Sequence, residues 1–105
     1  GNQITQVILN LLKNAAGAIG TREGGVIALS AFCNDEEHVI VDVANNGEPI
    51  SEEVSQHIFV PFFTTKEHGS GIGLSVSRQI MRLHRGSLKL QHSTPRETRF
   101  RLVFR

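Results

Sequence analysis

The stretch His68-Gly69-Ser70-Gly71-Ile72-Gly73-Leu74 decides how this chain of 105 residues folds and what it binds. Three glycines at alternate positions let the backbone approach a ligand where a Cβ would collide. The apolar spacing that follows predicts a helix from Gly71 or Ile72 to His84. Because a helix N-terminus presents unpaired N–H groups and a positive dipole end, the stretch predicts a phosphate-binding turn. The glycine run alone is a weak signal, since many flexible loops contain one.

Composition bounds the chain to one small domain, residues 1–105, without an apolar run of membrane-spanning length. Its single cysteine, Cys33, excludes intramolecular disulfides and suits a reducing, cytoplasmic compartment. The net charge is +1, but eight of the eleven Lys and Arg residues lie from Arg78 onward, beside one acid, Glu97. Without interleaved aromatic residues we interpret this as solvated surface, and we predict no nucleic-acid partner.

Periodicity predicts the order helix, strand, strand, short helix, loop, helix, strand, strand. The first helix covers 3–19, the hairpin strands cover 26–33 and 38–45, Ser51 caps the short helix, and 59–70 is loop. The last two strands alternate around Leu88 and Phe100. We therefore expect an α+β fold, a two-layer sandwich in which helices cover one face of a mixed, mostly antiparallel sheet. In the second long helix the expected buried residues are Ile72, Val76, Ile80 and Leu83, with Arg78, Arg82 and Arg85 outward and Gly86 at the end.

Two asparagines on the first helix, Asn10 and Asn14, lie four residues apart and so project from one side. An amide oxygen is a suitable ligand for Mg²⁺, which takes its other ligands from water and nucleotide phosphates. Ordinary surface asparagines would show the same spacing.

The turn Asn45-Asn46-Gly47-Glu48-Pro49-Ile50 follows directly on a predicted strand. The Asn45 amide both donates and accepts, as recognition of an adenine edge requires, and Gly47 permits close backbone approach. Asn-Asn-Gly is also a plain turn signal. Further on, Phe59 to Lys66 joins an aromatic cluster to a tip where Lys66 offers a charge, and Thr64 or Thr65 a hydroxyl, to phosphate.

These motifs, in this order, closely resemble the ATP-binding catalytic domain of two-component sensor histidine kinases, from about Gln3 to Phe104. That superfamily also holds type II topoisomerases, mismatch-repair ATPases and a heat-shock chaperone. Residues 6–15 resemble the N box, 45–50 the first glycine box, 59–66 the F box and 69–74 the second glycine box, and Thr98 stands where a last threonine would lie near the base.

The resemblance implies a set of site residues. It implies Mg²⁺ and ATP as cofactors, with Asn14 as the metal ligand and Asn10 and Lys66 in catalytic positions. It implies nucleotide contacts at Asn14, Asn45, Gly47, Ile50, Phe59, Thr65, Lys66, Gly69, Ser70, Gly71, Ile72, Gly73, Leu74 and Thr98.

Three positions depart from the family pattern. Asn45 stands where an aspartate normally accepts from the adenine amino group, Pro49 replaces the second glycine of that box, and Glu97 replaces the last glycine. These departures concern nucleotide affinity more than the fold.

The resemblance also indicates the reaction. Hydrolysing members carry a glutamate that activates water where this chain has Asn10, which is no base. We therefore expect phosphoryl transfer to a histidine on a separate dimerisation domain, in a homodimeric parent kinase that signals to a response regulator receiver domain. The chain starts at the N box, so we expect it to lack the helix and strand that precede this motif in the family. We also expect it to be the C-terminal part of a longer, cytoplasmic sensor kinase. If that parent protein is bound to the inner membrane, segments outside this domain provide the anchor.

Two alternatives stay open. One is a degenerate, non-catalytic nucleotide-binding or docking module, and the other is a stand-alone anti-sigma-type serine kinase. Neither the motifs nor the spacing separates them from the sensor kinase.

Overall fold

A computed structural model describes residues 2–21, 23–60 and 73–105. The helices are α1 (Asn2–Ile19), α2 (Glu52–Ser55) and α3 (Gly73–Leu83). The strands are β1 (Ile27–Cys33), β2 (Val39–Asn45), β3 (Ser87–Ser93) and β4 (Thr98–Phe104). The predicted order is confirmed for these elements, and the predicted loop from 61 onward, with Gly71 and Ile72, lies outside the described residues.

The four strands form one sheet in the order β1-β2-β4-β3, and each of the three pairings is antiparallel. Helices α1 and α3 contact each other and cover one face of this sheet. Residues from both helices and three strands form the core between the layers: Val7, Leu11, Ala15, Val43, Ile80, Met81, Leu88, Phe100 and Leu102. The predicted two-layer α+β sandwich is therefore confirmed.

Helix α3 is rotated relative to its prediction. Its buried residues are Ser77, Ile80 and Met81, whereas Val76 is 39% exposed and Leu83 is 70% exposed, so the prediction that these two are buried was wrong. The apolar spacing could not show that a serine, Ser77, occupies the contact with α1. Arg78 is half-buried rather than fully outward, because its guanidinium lies 4.8 Å from the centre of the Phe59 ring.

Two residues, Arg85 and Gly86, terminate α3, whereas the sequence predicted Gly86 alone. Arg85 adopts the left-handed conformation with φ of 60°, and the Gly86 N–H donates to the Met81 carbonyl at 2.7 Å. Gly86 is needed for space, since a Cβ there would collide with the Val103 carbonyl oxygen of β4. The helix therefore ends before Gly86 as predicted, but the residue with the left-handed backbone conformation is Arg85.

Strand β1 is the least covered part of the sheet. All seven of its residues are exposed, including Ile27, Leu29 and Phe32, and within the described ranges it pairs with β2 alone. Arg101 partly covers Phe32, with its guanidinium 5.5 Å from the ring centre. An edge strand with apolar side chains and unpaired backbone groups is a surface that another strand can extend.

The face of the sheet away from the helices carries a buried carboxylate. Asp42 of β2 is 1% exposed and accepts from Arg99 Nη1 at 2.8 Å, Arg101 Nε at 2.8 Å and Arg101 Nη2 at 2.9 Å. The hydrogen bond from Arg101 is the main cause that lowers the pKa of the Asp42 carboxyl, with Arg99 adding to it and burial opposing it. Because both arginines belong to β4, this ion pair fixes the register of β4 against β2.

We predict that Asp42→Asn lowers the free energy of unfolding by about 3 kcal/mol at pH 7, since it removes the carboxylate that pairs with Arg101 and leaves Arg99 with Glu97 alone. The folded-state pKa of Asp42 lies below the unfolded value of about 3.9, so this contribution is complete above that pH and is lost as the pH falls through the folded-state pKa. Urea unfolding at a series of pH values should show wild type and variant converging in acid. Asp35→Asn, in the exposed hairpin turn, is the matched control, and equal stabilities of Asp42→Asn and wild type at pH 7 would contradict the prediction.

Candidate nucleotide-binding site

The Asn10 side chain joins α1 to the N-terminus of α3. Its Nδ2 donates to Ser77 Oγ at 3.1 Å and more weakly to the Gly73 carbonyl at 3.4 Å, while its Oδ1 accepts from Gln6 Nε2 at 3.0 Å. The start of α3, whose unpaired N–H groups attract anions, is thereby held beside α1. Gln6 and Ser77, which complete this contact, were not predicted from the sequence because only their placement in the fold brings them together.

Two turns further along α1, the helix meets the turn at 45–50. The Glu48 N–H donates to the Ala18 carbonyl at 3.0 Å, and Gly47 is buried against the same backbone. A Cβ at position 47 would lie 2.5 Å from the Ala18 carbonyl carbon and 2.7 Å from the Ile19 nitrogen, closer than real contacts allow. The close approach expected of Gly47 is therefore an approach to α1.

Asn14 lies midway between these two contacts. It is half-buried, four residues after Asn10 and four before Ala18, so the three positions follow one side of α1 in successive turns. The position of Asn14 on the helix thus lies between the residues that contact the N-terminus of α3 and the turn at 45–50.

Three polar residues form a row across the end of the sheet. Asn45 is the cross-strand partner of Thr98, and Thr98 is the partner of Ser93. Asn45 is 3% exposed and Thr98 is 2% exposed, and both lie on the helix-covered face with Val43 and Phe100. Thr98, predicted to lie near the base, is thus adjacent to the predicted adenine-reading turn.

Ser93 was missed by sequence reasoning. Its hydroxyl accepts from the Ile50 N–H at 2.7 Å and lies 2.6 Å from Thr98 Oγ1, so it connects the turn, β3 and β4. Strict alternation from Leu88 and Leu90 would turn Ser93 to the opposite face. A register shift between Leu90 and His92 reverses the alternation, and no local pattern in the sequence marks it.

The turn at 45–50 is held by both of its asparagines. Asn45 Oδ1 accepts from the Gly47 N–H at 2.8 Å, the hydrogen bond of an Asx turn. Asn46 Oδ1 accepts from the Val26 N–H at 2.7 Å, and its Nδ2 donates to the Gly24 carbonyl at 2.9 Å. Asn46 therefore fastens the turn to the segment before β1.

Glu97, which precedes Thr98 of β4, forms hydrogen bonds with basic neighbours. Glu97 accepts from Arg99 Nε at 2.7 Å and lies 2.9 Å from His92 Nε2, and these hydrogen bonds, Arg99 first, lower the pKa of Glu97. Arg99 in turn bonds Asp42, and its two carboxylate partners raise its own pKa. The residue in place of the family glycine is thus part of the ion-pair chain that fixes β4.

The other described site predictions lie around the core. Phe59 and Leu74 are half-buried and pack against the hydrophobic core, and Gly73 is the first described residue of α3. The remaining predicted nucleotide contacts lie outside the described residues and stay predictions: Thr65, Lys66, Gly69, Ser70, Gly71 and Ile72.

An antiparallel sheet is covered by helices, Asn10 of α1 bonds the first turns of α3, and a polar row crosses the sheet end. These features define an α+β domain of the ATPase and kinase class. Residues 1–105 match the family of histidine kinase-, DNA gyrase B-, and HSP90-like ATPases, and the chain belongs to this family.

Individual relatives are named as kinases. The chain is 41% identical over 97 residues to sporulation kinase D of Bacillus subtilis, covering 92% of this chain and 19% of that protein. It is 39% identical over 90 residues to sensor histidine kinase ZraS of Salmonella typhimurium, covering 86% of this chain and 19% of that protein. The chain therefore spans about a fifth of the length of these relatives.

Solved structures agree with the fold. The nucleotide-free catalytic domain of histidine kinase ThkA superposes with a TM-score of 0.83 at 38% identity, covering 98% of this chain and 66% of that one. Full-length ShkA in complex with AMPPNP superposes with a TM-score of 0.84 at 24% identity, covering 97% and 21%, and this likeness concerns the fold alone. None of the helices within the described ranges is long and apolar enough to cross a membrane.

We predict that Gly47→Ala destabilises the fold by about 2 kcal/mol, because the added methyl collides with the backbone of α1, which cannot move as a side chain would. Thermal or urea unfolding measures the loss. Gly73→Ala is the matched control, since among the described residues a Cβ there meets only Asn10 Cγ, at 4.0 Å. Equal stability of the two variants would show that the turn does not rest on α1 as described.

Proposed function

We propose that this chain binds Mg-ATP and donates the γ-phosphoryl group to a histidine on a separate dimerisation domain of a two-component sensor kinase. Membership of the ATPase family and the names of the relatives support an ATP-binding kinase role. The finer assignment to residues rests on α1, which holds the N-terminus of α3 at one point and the turn at 45–50 at another, with Asn14 between them.

In this proposal the three parts of the nucleotide contact three parts of the site. The purine lies at the Asn45–Thr98 end of the sheet, the triphosphate lies at the N-terminus of α3, and the metal lies at Asn14. Gly73, Leu74, Ile50 and Phe59 line this space or support it. The resemblance assigns phosphate contacts to Lys66, Thr65, Gly69, Ser70, Gly71 and Ile72, which lie outside the described residues.

Asn14 fits Mg²⁺ because a carboxamide oxygen is a hard, neutral ligand. Within residues 2–21, 23–60 and 73–105 no group of three His, Cys, Asp or Glu side chains could hold a metal by itself. The ion would therefore complete its coordination with phosphate oxygens and water, and when bound it would neutralise charge on the transferring phosphoryl group.

Transfer to a separate acceptor, rather than hydrolysis, is supported by Asn10. Its amide is engaged on both sides, as donor to Ser77 and Gly73 and as acceptor from Gln6, and a carboxamide does not take a proton from water. Among the described histidines, His84 bonds Gln3 and His92 bonds Glu97, both on the surface. These contacts support an acceptor histidine on another domain.

The partners follow from this role. A dimerisation domain must bring its histidine to the γ-phosphate, and a response regulator receiver domain must accept the phosphoryl group from it. The exposed Val76 and Leu83 on α3 support such docking, because they place apolar surface on the helix that begins at the phosphates. The parent protein is then a homodimer.

A second candidate, a non-catalytic docking module, is favoured by one observation. Glu97, in place of the family glycine, is engaged by Arg99 and His92 in a structural role beside Thr98. Saturation with nucleotide separates the two candidates.

The deciding experiment is calorimetric titration with ATP, with Mg²⁺ and with EDTA. Wild type should saturate below millimolar Mg-ATP, and Asn14→Ala should weaken Mg-ATP binding about tenfold or more while leaving metal-free binding almost unchanged. Asn2→Ala, at the exposed start of α1, is the matched control. Absence of saturation in wild type at millimolar nucleotide would favour the docking module, and phosphohistidine formation on an added dimerisation domain would establish the transfer.

Ser93→Ala tests the polar row. Removing the hydroxyl frees the Ile50 N–H and leaves Thr98 without its partner, so we expect ATP affinity to fall about three- to tenfold. Ser87→Ala, at the other end of β3, should leave affinity unchanged. Equal affinities for the two variants would remove Ser93 from the base pocket.

A further inference from the structure

The Asn45 side chain is almost enclosed, yet of its two polar atoms Oδ1 alone has a hydrogen-bond partner among the described residues. Its Oδ1 accepts from the Gly47 N–H at 2.8 Å. The opposite amide orientation would place the Nδ2 donor against that N–H donor, so the hydrogen bond itself fixes which end of the amide faces the turn. The outer end is therefore the NH₂ group.

No residue in the described ranges accepts a hydrogen bond from Asn45 Nδ2. The same ranges contain no fully buried polar side-chain atom that lacks a partner. Although Asn45 as a whole is 3% exposed, its Nδ2 must therefore retain contact with open space. An enclosed side chain with one accessible, unpaired donor is suited to reading an acceptor on a ligand.

We propose, resting on the proposed function above, that Asn45 makes this pocket tolerant of purines, so that ATP lacks the advantage over ITP and GTP that an aspartate at position 45 would give it. An adenine presents an amino donor at C6, which would face the Asn45 donor. Hypoxanthine and guanine present a carbonyl acceptor there, which Nδ2 can bind.

Thr98 and Ser93 are compatible with either kind of purine. Their hydroxyl oxygens lie 2.6 Å apart, and either one can donate to the other. The Thr98 hydroxyl can consequently present a donor or an acceptor to the base, and Asn45 alone carries the bias. ATP is weakened rather than excluded, because Asn45 Oδ1 retains a second lone pair.

The test compares ATP with ITP, which differs from it only at ring positions 1 and 6, and with GTP, all as Mg²⁺ complexes in equilibrium binding. Wild type should bind ATP and ITP with dissociation constants within about threefold of each other, and Asn45→Asp should shift the ratio toward ATP by about tenfold or more. An aspartate keeps the oxygen that accepts from Gly47 and replaces the outer donor by an acceptor.

Asn34→Asp is the matched control. Asn34 Oδ1 also accepts from two backbone N–H groups, those of Glu36 and His38, each at 3.0 Å, in the hairpin turn at the other end of β2. This variant adds the same charge and should leave the ATP-to-ITP ratio unchanged.

The outcomes separate the two proposals. Wild type binding ATP tenfold or more tightly than ITP would overturn the tolerance while leaving the proposed function intact, and this result does not depend on the variant folding. A folded Asn45→Asp with an unchanged ratio would also overturn it. Absence of binding of any purine triphosphate would overturn the proposed function and the tolerance together.

Discussion

The contact between the turn at 45–50 and the end of α1 is the constraint on which the site depends. It requires a residue without a Cβ at position 47, and it places the Glu48 N–H on the Ala18 carbonyl. The other end of the same helix face is held by Asn10 at the start of α3. One helix therefore fixes the spacing between the turn at 45–50 and the N-terminus of α3, and Asn14 lies on α1 between these two contacts.

An ion-pair cluster on the face of the sheet away from the helices fixes the strands that carry the site residues. Asp42 binds Arg99 and Arg101, so β4 cannot slip against β2 without separating a nearly buried carboxylate from both arginines. A slip of one residue would turn Thr98 to the other face. The ion pair thus keeps Thr98 opposite Asn45, although none of its charges lies on the helix-covered side.

Sequence periodicity was sufficient for the elements and for the motifs on them, because core positions on α1 and β4 repeat at regular intervals. It failed where the determining contact is not local. Ser93 faces inward because of a register shift in β3. Val76 and Leu83 face outward because α3 turns Ser77 toward Asn10. Arg85 takes the left-handed conformation at the point where Gly86 passes close to β4. Each depends on a partner distant in the chain.

The position held by Asn45 has two roles carried by two different atoms. The inner atom accepts from Gly47 and forms the turn, which an asparagine and an aspartate do equally well. In the proposed complex the outer atom faces the base, and there the two residues have opposite hydrogen-bonding character. The turn, its contact with α1 and the phosphate end can therefore persist unchanged while base recognition differs.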